Sequence, residues 1–241
     1  STSWNAVPDQ SWLSISTTSG ENGTDSLTIS VEANTTSTSR IANITISGEG
    51  FDDKNIIVLQ YGKTEVTAGN LRAILSDQLA KLTTLTLIGN IDARDFRTMR
   101  DEMPLLEEID MSEVAIVAYN GGQGTCINSL TYYENNHIPQ FAMSKGGGTG
   151  KLTLKSIVLP KSVTAIKDDA FSYCFNLNGI NLPEGIKQIS DRSFIRCELL
   201  TTITIPSSVE NIALGAFDRK INYLVNAGNQ HYSSEDGVLY N

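Results

Sequence analysis

Three successive segments carry one apolar skeleton at one spacing: LKSIVLPKSVTAIKDDAFSYCFN from Leu154, LNGINLPEGIKQISDRSFIRCEL from Leu177 and LTTITIPSSVENIALGAFDRK from Leu200. Leu154, Leu177 and Leu200 form one column. Ile157, Ile180 and Ile203 form the next, then Leu159, Leu182 and Ile205, each followed by proline. Val163, Ile186 and Val209, then Ile166, Ile189 and Ile212, then Phe171, Phe194 and Phe217 continue the series at the same 23-residue step. A fixed apolar set at a fixed period predicts stacked coils. Each coil's inward residues are covered by the same residues of the coil above and below, while the outward residues answer to no such constraint and drift.

The L-x-x-I-x-L part of each unit predicts a short strand, and stacking aligns these strands into a parallel sheet. A fourth unit is expected from Ile221, and earlier, irregular units from near Leu82 and Leu106. The repeats are thus expected over 82–226, with the strict period at 154–220 and a hairpin-like end over 227–241. Upstream, Leu71, Ile74, Leu75, Leu79 and Leu82 recur at helical spacing and predict a helical cap within 63–81. DARDFRTMRDEMP predicts a second helix, stopped by Pro104, between strands at 82–89 and 105–112.

Before residue 63 the period changes. SLTISVEA (26–33), RIANITIS (40–47) and NIIVLQY (55–61) alternate apolar and polar residues between turn-forming clusters. That pattern predicts an all-β, immunoglobulin-like sandwich over 1–62. Ser and Thr supply 20 of the first 50 residues, and the composition shift marks the boundary. The expected architecture is two domains, 1–62 and 63–241.

A net charge of −9 argues against nucleic acid and anionic membranes as partners, because both need a basic face. No run of 18 apolar residues is present, so no membrane-spanning helix is expected. Cys126, Cys174 and Cys197 make no disulfide framework or zinc spacing. Cys174 and Cys197 share a column of adjacent coils. They read as buried thiols, with a disulfide rung as the alternative and Lys220 interrupting any longer ladder.

Other motifs yield no chemistry. Cys126 in NGGQGTCIN lacks a base in a recognisable signature, since His137 and His231 are the only histidines. Glu108 and Asp110 alternate with inward residues, so they read as solvent-facing rather than as a glycosidase pair. KGGGTGK (145–151) lacks the phosphate-loop register and reads as a glycine-rich insertion. DSL (25–27) fits a short O-glycosylation pattern. No catalytic residue, cofactor or metal site is expected.

The pattern L-x-x-I-x-L-P-x-x-V-x-x-I-x-x-x-x-F-x-x-C resembles the BspA-like (Treponema-type) leucine-rich repeat. AGNLRAIL, LTLIGNIDARDF, MPLLEEIDMSEVAI and YYENNHIPQFAM resemble the region that often precedes such repeats. WNAV (4–7), SWLSIS, LTISVEANTTSTSR and IIVLQYG resemble a BACON domain, although such domains usually have more sequence before the first tryptophan. The resemblance implies a right-handed leucine-rich-repeat solenoid behind a BACON-like sandwich. It also implies an exported protein of a Bacteroidetes cell, extracellular or on the outer-membrane surface, with a lipid anchor upstream of Ser1. The implied function is non-enzymatic: adhesion or recognition of a host protein through the repeats, with glycan or mucin binding by the BACON-like domain as the alternative.

The face to watch lies between the inward columns. The expected outward residues are Thr84 and Thr86, Glu108 and Asp110, Ser156 and Val158, Gly179 and Asn181, Thr202 and Thr204, and Tyr223 and Val225. They are mostly small and polar, which suits an extended platform for a macromolecule. The first domain has only Trp4, Trp12, Phe51 and Tyr61 as aromatics, and the tryptophans are expected in its core, which weakens the glycan alternative.

Overall fold

The computed structural model describes residues 3–20, 26–32, 34, 36, 39–60, 62–126, 131–218 and 221–241. Asp25, Tyr61 and Lys220, which belong to the O-glycosylation pattern, the aromatics of the first domain and the interrupted thiol ladder, lie outside them. The chain divides into two compact units, Ser1–Lys63 and Thr64–Asn241.

In the first unit Arg40–Gly48 pairs antiparallel with Trp4–Pro8 on one side and Phe51–Gln60 on the other, and Ser19–Gly20 pairs with Trp4–Pro8. Leu13–Ile15 and Ile29–Val31 form a separate antiparallel pair. The alternation has the expected consequence: Ala42 and Ile44 are buried with Ala6, Trp12 and Leu13, while Ile41 next to Ala42 is exposed. Arg40 stacks 4.2 Å over Trp12 and donates to Glu32 O. Two readings need adjustment. The third strand begins at Phe51, not 55, because Gly50 at φ 93 closes a tight hairpin and lets pairing start at once. The segments around Trp4 and Trp12 form strands too short for alternation to reveal.

Phe51–Gln60 is the edge of its sheet. Its outward row carries Ile57, 68% exposed, and Leu59, opposite exposed Ile41 in the paired strand. An exposed apolar edge of this length is what stable sheets normally blunt.

The second unit is built from two parallel ladders. In the first, Thr84–Ile91, Glu108–Ile116, Ser156–Val158 and Gly179–Ile180 lie side by side, with Lys63–Val66 at the outer edge. Thr202–Ile205 pairs in parallel with Asn222–Val225. The second ladder joins His137–Ile138, Ala165–Ile166, Gln188–Ile189 and Asn211–Ile212. Two-residue strands of this kind leave no alternation to read, and only their isoleucine column was legible.

The repeated columns form one continuous core. Leu154, Leu177 and Leu200 are buried in it, as are Ile157 and Ile203. The rings of Phe171, Phe194 and Phe217 stack at 5.3 and 5.0 Å with planes within 10° and 3°. Two successive coils turn through left-handed residues that are not glycine: Asp169 and Arg192 in one column, Tyr173 and Arg196 in another. Such positions are uncommon for residues with a Cβ. Here Arg192 pairs with Asp169 of the preceding coil at 2.8 Å.

The expected cap helix is shorter than its apolar spacing implies. Leu71–Leu75 is helical and Ser76–Gln78 forms a single 3-10 turn. Ser76 at φ 44 breaks the path between them. Ala93–Asp101 is helical as expected, started by Asp92 and Asp95 in a reciprocal capping box. The glycine-rich KGGGTGK is a hairpin, Ser144–Gly146 against Thr149–Gly150, turned through Gly146, Gly147 and Gly148 at positive φ.

Candidate binding face of the repeats

The first ladder fixes which side chains share a row. Thr84 aligns with Glu108, Glu108 with Ser156 and Ser156 with Gly179. Thr86 aligns with Asp110, and Asp110 with Val158. Leu85, Ile109 and Ile157 between the rows are buried, so the rows face away from the core. Glu108, Val158, Thr202 and Thr204 are exposed, and Thr84, Thr86, Asp110 and Ser156 are half-buried by their neighbours. Asn181 is exposed, but its Oδ1 accepts from Leu159 N at 2.6 Å, so its side chain ties two coils together.

Tyr223 requires a correction. It aligns with buried Ile203, not with an outward residue, and its ring meets Phe217 edge-on at 5.6 Å. Val225 likewise aligns with buried Ile205. The last unit steps by 20 residues from Thr202 to Asn222, where a start at Ile221 implied 21. A one-residue slip in a strand exchanges its faces. Asn222 and Leu224 therefore stand in the outward rows, and Leu224 is 49% exposed. The signal that could have found them is the alternation within NYLV, which places Tyr and Val together on one face.

The thiols are not bonded to one another. Cys126, Cys174 and Cys197 are free and buried. Cys174 Sγ donates to Met143 O at 3.5 Å and Cys197 Sγ to Phe171 O at 3.2 Å. Burial pushes the Cys174 thiol up to about 12 and raises Cys197 as well. Neither is a nucleophile or a metal ligand in that state. Lys151, at the end of the glycine-rich hairpin, is also buried, with Nζ donating to Met103 O at 2.6 Å. It holds a carbonyl and is not available to a phosphate.

A second concavity was not legible in the sequence. Tyr132, Glu134, His137 and Gln140 meet Lys167 and Asp168 around a cleft of about 190 Å³. His137 lines it half-buried.

In the first unit Trp12 is buried beneath Arg40, Trp4 is half-buried, and Phe51 is 41% exposed. Among the described residues of this unit no two aromatic rings stack. Among all described residues, no helix is long and apolar enough to cross a membrane.

Comparison with known proteins gives each unit a class. Residues 2–60 match the BACON family, described as "Putative binding domain, N-terminal", and residues 149–236 match the "BspA type Leucine rich repeat region" in six copies. The chain thus combines a BACON module with BspA-type leucine-rich repeats, two modules of binding type, and no enzyme family is indicated. Among solved structures it is similar to a leucine-rich repeat protein from Bacteroides capillosus, at 22% identity over 50% of this chain and 77% of that one, with a TM-score of 0.35. It is also similar to a leucine-rich repeat protein from Bacteroides ovatus, at 14% identity over 61% of this chain, with a TM-score of 0.35; it spans 43% of that protein. No curated protein matches the chain.

Proposed function

We propose that this chain is a non-enzymatic binding protein that recognises a host protein or another macromolecule through the exposed strand face of its repeats, in the first ladder and in the Thr202–Ile205 strand. The observation that carries this reading is the register itself. Parallel pairing lines up Thr84, Glu108 and Ser156 in one row and Thr86, Asp110 and Val158 in the next. Small, polar and acidic side chains on a rigid, extended surface suit a partner that is itself extended or flat. In this reading the coils form a right-handed solenoid over 82–226 with a helical cap within 63–81, and residues 1–62 form an immunoglobulin-like sandwich. The working place is the outer surface of a Bacteroidetes cell or the medium around it, which agrees with both matched families.

Glycan binding through the first unit is the weaker reading, because Trp12 is covered and Trp4 is half-buried. The experiment is a screen of the full chain against matrix proteins, mucin and a glycan panel. It is run beside a variant with Glu108→Arg in the first ladder and Thr202→Arg in the Thr202–Ile205 strand. Binding of a protein that the variant loses supports the proposal. Binding that the variant retains moves recognition off this face.

A further inference from the structure

The cleft beside the start of the second ladder has no part in the strand-face reading. It opens between the Tyr119–Gly121 and Thr131–Tyr133 hairpin and the rungs His137–Ile138 and Ala165–Ile166. Lys167 Nζ and His137 Nδ1 each lie 2.8 Å from Glu134 Oε2. The lysine approach is a hydrogen bond, and it holds the Glu134 carboxyl below its usual range. His137 Nδ1 is buried and meets no hydrogen-bond geometry with that oxygen. Burial, then the charge of Lys167, lowers the His137 pKa, so the ring is neutral near neutral pH. Tyr132 stands at the rim, 64% exposed.

This set of groups selects by chemistry. Glu134 and Lys167 neutralise each other, and Asp168 adds a negative charge, so an anionic ligand is disfavoured. A hydroxyl both donates and accepts, so it can donate to the Glu134 carboxylate and accept from the Lys167 ammonium. A second hydroxyl is within the range of chemistry offered by Gln140 and Asp168. The exposed face of Tyr132 supplies an apolar wall for ring C–H groups. At about 190 Å³ the cleft is below the ~300 Å³ lower end of sites for drug-sized ligands, which leaves room for one ring.

We propose that this cleft is a binding subsite for a single pyranose ring, such as the terminal residue of a neutral glycan. It places sugar contact in the repeat unit, independently of the BACON module and of the strand face.

The test is a proton NMR titration of the full chain with methyl galactoside, methyl fucoside and N-acetylgalactosamine, beside glucuronate as an anionic probe. His137 and His231 are the only histidines, so the imidazole resonances are simple, and a His231→Asn variant assigns them. The proposal expects saturable shifts of the His137 resonances with at least one neutral sugar. It also expects about tenfold weaker binding in Tyr132→Ala, equivalent to about 1.4 kcal/mol, and unchanged sugar binding in the Glu108→Arg, Thr202→Arg face variant. Tyr132 is exposed, so its replacement leaves the fold intact, and far-UV circular dichroism checks this. Three results would overturn it: no His137 shift with any neutral sugar, identical affinity in Tyr132→Ala, or tighter binding of glucuronate than of every neutral sugar.

Discussion

Lys151 links the packing of the repeat unit to a measurable pH profile. Its amine is buried and donates to Met103 O, and burial pushes its pKa down from 10.5 to about 8. Below about pH 8 both folded and unfolded states carry the charge, and the folded state holds an ammonium that water would solvate better. Between about pH 8 and 10.5 the unfolded chain binds more protons at this group, so stability rises with pH. Realising the whole shift is worth about 3 kcal/mol. The buried thiols act in the opposite sense. With folded pKa values above 9.0, Cys174 and Cys197 contribute stability that is complete below that pH and lost above it, by about 1.4 kcal/mol per pH unit each. Comparing wild type with Lys151→Met cancels Cys197 and most of the Cys174 contribution, because burial dominates that thiol and the Lys151 charge is a lesser cause. That variant leaves Met103 O without its donor at every pH, which is a constant offset. The difference in unfolding free energy should move in favour of wild type by about 1.4 kcal/mol by pH 9 and by about 3 kcal/mol by pH 10.5. Urea unfolding followed by far-UV circular dichroism reads it. Trp4 and Trp12 both lie in the first unit, so tryptophan fluorescence follows that unit separately. A wild-type minus variant difference that stays flat from neutral pH to pH 10.5 would refute the burial of a charged amine.

Three further outcomes follow from the same geometry. Phe194→Ala removes the middle ring of the stack between Phe171 and Phe217 and should cost the repeat unit about 3–5 kcal/mol in urea unfolding. Native protein should resist a thiol reagent such as Ellman's at Cys174 and Cys197, and both should react once the chain is unfolded, as read by absorbance. Ile57→Lys, on the exposed edge of the first unit, should weaken self-association in sedimentation velocity while leaving unfolding unchanged within about 0.5 kcal/mol.

The legible parts of this molecule are those where one physical demand repeats. Leu154, Leu177 and Leu200 must cover one another, so their column was visible as a period. Thr84 and Glu108 could be placed as outward neighbours because Leu85 and Ile109 had to point in. The period fails at the last unit, where three residues are lost between Thr202 and Asn222, and there the extrapolated row put Tyr223 on the wrong face. The left-handed turns at Asp169 and Tyr173 were invisible because no glycine marks them. The cap helix was overestimated because Leu79 packs into the core after the chain has already turned at Ser76. The cleft was hidden for a different reason. Tyr132 and Glu134 come from a hairpin ahead of the strict repeats, while Lys167 and Asp168 follow a rung of the second ladder, and only the folded coil brings them together.

The central claim is that recognition belongs to the ladder face. It is tested most directly by the affinity of the full chain for a protein captured in the screen, measured by biolayer interferometry against the Glu108→Arg, Thr202→Arg variant. The account predicts at least about a tenfold rise in Kd, equivalent to about 1.4 kcal/mol or more, with unfolding unchanged. An unaltered Kd in a properly folded variant would contradict it and place the contact elsewhere on the chain.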